Sequence, residues 1–157
     1  MFTHNQKTFI GHGAIILFIG MLAGMGLLMS LIGGLELIPG SIISFTIPGD
    51  PATWAKIHVG GILNGIMILV VALLLPGLGF QNSAQLRLGW LIVGTGWANT
   101  LFYWAALVAP NRALTLGDNK FGPGNWASII GLLPALIFVV ISLYVVGAIA
   151  MKALRKA

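Results

Sequence analysis

Four polar side chains stand out from this chain's apolar background: His58, Asn64, Asn99 and Tyr103. His58 and Asn64 lie in one apolar stretch with a run of glycines, and Asn99 and Tyr103 lie in the next. Polar and ionisable groups inside a membrane are costly, so each marks a candidate functional site. A neutral imidazole beside small residues is one way for a helix to offer a ligand to a flat metal cofactor. At about 100° per residue, Gly61, Ile62 and Gly65 share the face of His58. Two glycines there leave room for something flat. Gly61-x-x-x-Gly65 is equally the small-residue pattern of close helix packing, and both readings stay open.

Thr95, Asn99 and Tyr103 follow at i, i+4 and i+8, forming one polar line on a helix. Asn99 and the Tyr103 hydroxyl can each donate and accept hydrogen bonds. Their alternative use is ordinary interhelical bonding. Trp90, Trp97 and Trp104 repeat every seven residues on a neighbouring face and read as lipid-facing or packing residues. Arg112 and Lys120 are loop cations that could meet carboxylates of a cofactor. Glu36, an acid among apolar neighbours, reads as a pairing partner for Arg112 or Lys56 ahead of a functional carboxylate.

Composition says what must position these groups. Of 157 residues, 58% are hydrophobic and 7% charged, far below the roughly one quarter charged in soluble domains. The bilayer is therefore the solvent of this chain. One domain over 1–157 is expected, an all-α integral membrane bundle of four transmembrane helices that is oligomeric. The spans run from about 9–32, 51–75, 88–108 and 127–151. The first apolar run is too long for a cleaved signal peptide, and no small-residue cleavage site follows it. Asp50-Pro51 reads as an N-cap and first helical residue, Pro76-Gly77 as a stop or kink, and Asn82 or Ser83 as the cap of the third helix. The segment from Gly33 to Gly49 is apolar yet broken by Gly40 and two prolines. It is expected in the membrane interface or folded back on the bundle.

Charge sets the orientation. Lys7, Arg87, Lys152, Arg155 and Lys156 share one side without an acid. Lys56, Arg112 and Lys120 lie on the other with Glu36, Asp50 and Asp118. Both termini are therefore expected in the cytoplasm. The net charge of +5 reflects these ends, not nucleic-acid binding. At 1.5 Å per residue, His58 lies about 10 Å along its helix from Pro51, with Asn64 about 9 Å further. Counting back from Val108, Tyr103 is about 8 Å in and Asn99 about 14 Å. All four thus fit one half of the bilayer, which permits a single pocket. His12 falls in the opposite half, so a structural or interfacial role is expected for it. Cysteine is absent, which excludes disulfides and thiolate ligands. There is no carboxylate pair, no Ser/His/Asp set and no phosphate-binding glycine loop, so hydrolysis lacks its usual groups.

The ordered motifs resemble the styrene oxide isomerase family over nearly the whole chain. They are GHG at 11–13, GGLELIPG at 33–40, WAKIH at 54–58 and LNG at 63–65. GWAN at 96–99, FY at 102–103, PNRALT at 110–115 and NKFGPG at 119–124 follow. That resemblance implies a small enzyme of microbial styrene degradation in the inner membrane, converting aryl epoxides to aldehydes, here styrene oxide to phenylacetaldehyde. It implies a b-type haem with ferric iron between subunits of a homotrimer. His58 would be the axial ligand, and Gly61 and Gly65 on its face and the loop cation Arg112 are then candidate cofactor contacts. Asn64 and Tyr103 would hold the epoxide, with Asn99 supporting Tyr103. A styrene monooxygenase upstream and an aldehyde dehydrogenase downstream would be its pathway neighbours. The family pattern has an aspartate where this chain has Thr95, a departure at a candidate catalytic position. The implied reaction is Lewis-acid opening of the epoxide followed by a 1,2-hydride shift. Its rivals are a haem-bearing electron carrier with the same His58, and a membrane scaffold whose polar residues only join helices.

Overall fold

The computed structural model describes residues 1–155. Lys156, one of the charges used for orientation, lies outside them. Four helices occupy the expected places: α1 (His4–Ile32), α2 (Pro51–Gly77), α3 (Asn82–Ala105) and α4 (Trp126–Leu154). A short hairpin, β1 (Gly34–Ile38) and β2 (Ser41–Ser44), joins α1 to α2. Helices α1, α2 and α4 are long and apolar enough to cross a membrane. Helix α3 has 24 residues, but Gln85, Arg87, Thr95, Asn99 and Thr100 lower its apolar character.

The helix ends follow local chemistry. Asp50 caps α2 as expected, its Oδ1 accepting the Thr53 N–H at 2.7 Å with Pro51 in the first turn. Helix α2 stops at Gly77, directly after Pro76. The cap expected for α3 is corrected: Gln81 is the N-cap, without a side-chain bond, and Asn82 is already helical. Asn125 and Ser128 form a capping box at the start of α4.

The hairpin is a second correction. Residues 34–44 of the 33–49 segment form a hairpin, and the stretch after it returns to the bundle, with Ile47 against Trp54 and the Pro48 carbonyl accepting from Trp54 Nε1. Gly34 pairs with Ser44, Leu35 with Ile43 and Glu36 with Ile42 in an antiparallel ladder. Gly40 takes φ 81° at the turn, a conformation open to glycine. Glu36 accepts the Gly40 N–H at 2.6 Å and so closes its own turn. It does not pair with Arg112 or Lys56 as expected. Leu37, Ile38, Ile42 and Ile43 stay exposed. The fold is therefore all-α, as expected, with one short two-stranded hairpin between the first two helices.

The glycine question on α2 is settled by α1. A Cβ on Gly20 would lie 2.6 Å from the Ile62 nitrogen, and one on Gly61 would lie 2.7 Å from the Gly20 Cα. A Cβ on Gly65 would meet Leu17 at 2.7 Å. Gly61 and Gly65 are buried in this backbone contact, which is the helix-packing reading of the motif. Ile16, Ile68 and Ile92 meet with no exposed surface where α1, α2 and α3 converge, joined by Val145 of α4.

The loop between α3 and α4 is organised by Asn111, which is fully buried. Its amide donates to the carbonyls of Thr115 and Gly117, both at 2.8 Å. Its Oδ1 accepts from the Ala113 N–H and the Ser128 hydroxyl. That clamp holds Arg112 and Ala113 at positive φ, 58° and 53°.

Candidate functional site

His58 is half-buried on the face of α2 that packs against α1. Its Nδ1 lies 2.8 Å from the Gly20 carbonyl oxygen. A carbonyl only accepts, so Nδ1 carries the proton and donates it. The Nε2 lone pair is then bare. A metal-binding histidine uses this arrangement, one ring nitrogen tied to a backbone carbonyl and the other offered as ligand. The imidazole rests against Gly24, where a Cβ would come within 2.8 Å of Cε1 and 2.9 Å of Nδ1. Gly24 is a site residue that sequence reading missed. The repeat Gly20-x-x-x-Gly24 was its signal.

Among the described residues no three His, Cys, Asp or Glu side chains come together. A lone histidine with one ring nitrogen free suits a group that brings its other donors with it, so this residue fits the implied haem.

Tyr103 lies on the other side of α2. Its ring covers Gly60 so closely that a Cβ there would collide with it. One turn along the same seam, Asn99 Nδ2 donates to Asn64 Oδ1 at 3.1 Å. Asn99 thus supports Asn64 and not Tyr103, which corrects the expected pairing. Asn64 is 7% exposed, and its Nδ2 is buried without a partner among the described residues. Gly60, also missed from sequence, is the small residue that lets Tyr103 reach α2.

These two halves do not meet within one chain. Relative to His58, Gly60 lies about 200° and Asn64 about 240° around the helix. Depth permitted a single pocket, but azimuth separates its members. Between the two faces runs an exposed apolar strip of Val59, Leu63, Ile66 and Val70.

The remaining candidates take defined places. Thr95 is 2% exposed, and its hydroxyl donates to the Leu91 carbonyl of its own helix at 2.9 Å. Arg112 pairs with Asp50 at 3.1 Å, and its guanidinium lies 4.5 Å from the Phe121 ring centre. The Asp50 carboxyl is held below its ordinary value of 3.8, first by the Thr53 backbone N–H and with help from Arg112. Arg112, Lys56, Thr53 and Tyr103 line a small cavity of about 50 Å³. His12 accepts from Trp97 Nε1 at 3.2 Å and stacks edge-on with Trp90. It precedes Gly20 by eight residues, about 12 Å along α1, so it is remote from His58 as expected. Trp104 packs edge-on against Trp54, in keeping with a packing role.

The matches to known proteins run along the whole bundle. A family model described as styrene oxide isomerase matches residues 5–154. A styrene-oxide isomerase of Pseudomonas fluorescens is 43% identical over 151 residues, covering 96% of this chain and 89% of that protein. With the match running from the first helix to the end of the last, the chain belongs to the styrene oxide isomerase family.

Proposed function

We propose that this protein isomerises aryl epoxides, styrene oxide to phenylacetaldehyde, at a b-type haem held by His58. The observation that carries the cofactor reading is the His58 ring, with Nδ1 tied to Gly20 and Nε2 bare. The relationship to the Pseudomonas fluorescens enzyme supports the reaction. When bound, the haem supplies a ferric Lewis acid.

The protein's own side chains do the rest. The Tyr103 hydroxyl and the free Asn64 Nδ2 are donors suited to an epoxide oxygen, which can only accept. As the benzylic C–O bond opens, the oxygen keeps the electron pair and the aryl ring spreads the positive charge. A hydride then moves from the terminal carbon to the benzylic carbon, and the oxygen closes the carbonyl. No electron, proton or water is consumed, so the site needs no carboxylate pair. Water would trap the cation as a diol, and apolar side chains such as Leu63 and Ile66 suit its exclusion.

His58 and the Tyr103–Asn64 pair lie on different faces of α2, so a second copy completes the pocket. In this reading His58 faces Tyr103 and Asn64 of the partner subunit, and the strip from Val59 to Val70 is covered within a homotrimer. Helix α3 crosses the inner membrane as a fourth span, with both termini in the cytoplasm. Arg112 and Lys56 are suited to meet the cofactor's carboxylates. A styrene monooxygenase would supply the epoxide, and an aldehyde dehydrogenase would consume the product.

The direct test is product analysis with purified protein and styrene oxide deuterated at both terminal positions. The expected product is phenylacetaldehyde with one deuterium on each carbon, formed without any nicotinamide cofactor. Reversible reduction by a membrane donor, with no epoxide conversion, would favour an electron carrier instead. For Thr95→Asp, unchanged haem content and a fall in kcat/KM of about 3- to 10-fold are expected. A carboxylate one turn from Asn99 competes with Asn64 for its amide, an effect the size of one hydrogen bond. Loss of haem in that variant would contradict this account.

A further inference from the structure

We propose that Asn99 is a positioning residue that decides which end of the Asn64 amide faces the substrate. The inference rests on the function proposed above. A primary amide carries a donor at one end and an acceptor at the other, and a half-turn about its last bond exchanges them. In this chain one end of that amide is engaged from outside. Asn99 Nδ2 donates to Asn64 Oδ1 at 3.1 Å, so the oxygen is occupied and Nδ2 is left over. That Nδ2 is buried and has no partner among the described residues. Native structures rarely leave a buried donor unsatisfied without a reason.

The chemistry supplies one. An epoxide oxygen is an acceptor, and it becomes a stronger one as the C–O bond opens. The Nδ2 end of Asn64 would bind it increasingly tightly along the reaction. The reversed amide would present lone pairs to a growing negative charge. Asn99 therefore sets the sign of the electrostatic contribution of Asn64 without touching substrate.

The seam between α2 and α3 makes this placement natural. Asn64 follows Gly60 by one turn on α2, and Asn99 precedes Tyr103 by one turn on α3. The antiparallel helices bring Tyr103 onto Gly60 and Asn99 onto Asn64. Thr95, one further turn away, spends its hydroxyl on Leu91 and does not compete.

The test compares wild type, Asn99→Leu, Asn64→Ala and the double variant, each scored for haem content, kcat and KM. Asn99→Leu is expected to lower kcat about 3- to 10-fold, the scale of one neutral hydrogen bond, with KM within about twofold. In the Asn64→Ala background it should cost nothing further, because its effect runs through Asn64. An unchanged kcat, or a loss that simply adds to that of Asn64→Ala, would overturn the proposal. If Asn99→Leu fails to accumulate, Asn99→Ser, whose side chain is too short for this contact, carries the same comparison. A readout independent of turnover is the 15N-labelled side-chain amide of Asn64. Its resonance should shift in the Asn99 variant, and an unmoved resonance also overturns the proposal. A wild-type protein that converts no epoxide would sink the functional reading, while this resonance would still report on the Asn99–Asn64 contact.

Discussion

His58→Ala loses bound haem and epoxide isomerisation together, and the loss of activity is expected to be at least about 100-fold. The reason is the division of labour within the ring. Nδ1 is committed to the Gly20 carbonyl, so Nε2 alone is free to bind iron. His12 does not compensate, because it lies about 12 Å along α1 from Gly20 and accepts from Trp97 of α3. Alanine also leaves a space beside Gly24, against which the imidazole rests. Free imidazole added to that variant is expected to restore part of the Soret absorbance. Full haem retention in His58→Ala would refute the ligand assignment.

The same variant separates the rival readings. An electron carrier would also lose its cofactor, but its wild type would show donor-linked redox chemistry and no aldehyde. A scaffold would be colourless before mutation, even after haem-sufficient expression. The scaffold reading also has difficulty with Asn64. A residue kept only to join helices would be expected to satisfy its donor, yet its buried Nδ2 has no partner among the described residues.

Local signals in the sequence carried most of the fold. Apolar runs located four helices, and Asp50-Pro51 gave the start of α2 to the residue. What escaped was whatever depends on two segments meeting. Depth along a helix follows from counting residues, so His12 was rightly separated from His58. Azimuth becomes meaningful only when the neighbours are known. Hence His58, Asn64 and Tyr103 looked like one pocket, although α1 claims one face of α2 and α3 claims another. Gly61 and Gly65 looked equally suited to a cofactor or a helix, and only Gly20 and Leu17 decide between them. The Arg112–Asp50 pair joins residues 62 positions apart, beyond any local pattern. The hairpin was missed for another reason. Its apolar strands have exposed side chains on both faces, so they lack the alternation that marks a half-buried strand.

The second large effect is expected from Gly20→Leu, although Gly20 has no side chain to do chemistry. It touches the site only through its backbone: its carbonyl fixes the His58 tautomer, and its Cα packs against Gly61 where α1 meets α2. A Cβ at this position would lie 2.6 Å from the Ile62 nitrogen and 2.7 Å from the Gly61 carbonyl carbon. These are backbone atoms and cannot swing aside as a flexible side chain can. The helices must part, and the cost is expected at the upper end of overpacking, about 3 kcal/mol. For a chain of this size that corresponds to a fall of about 6–12 °C in the midpoint of haem release or unfolding in detergent. Separation also carries the Gly20 carbonyl away from Nδ1, so the remaining folded protein should bind haem weakly. Gly11→Leu is the matched control, since a Cβ there meets nothing within 4 Å. It adds the same side chain to the same helix and should leave both haem content and midpoint unchanged. Equal behaviour of the two variants would show that the Gly20–Gly61 contact does not hold α1 against α2.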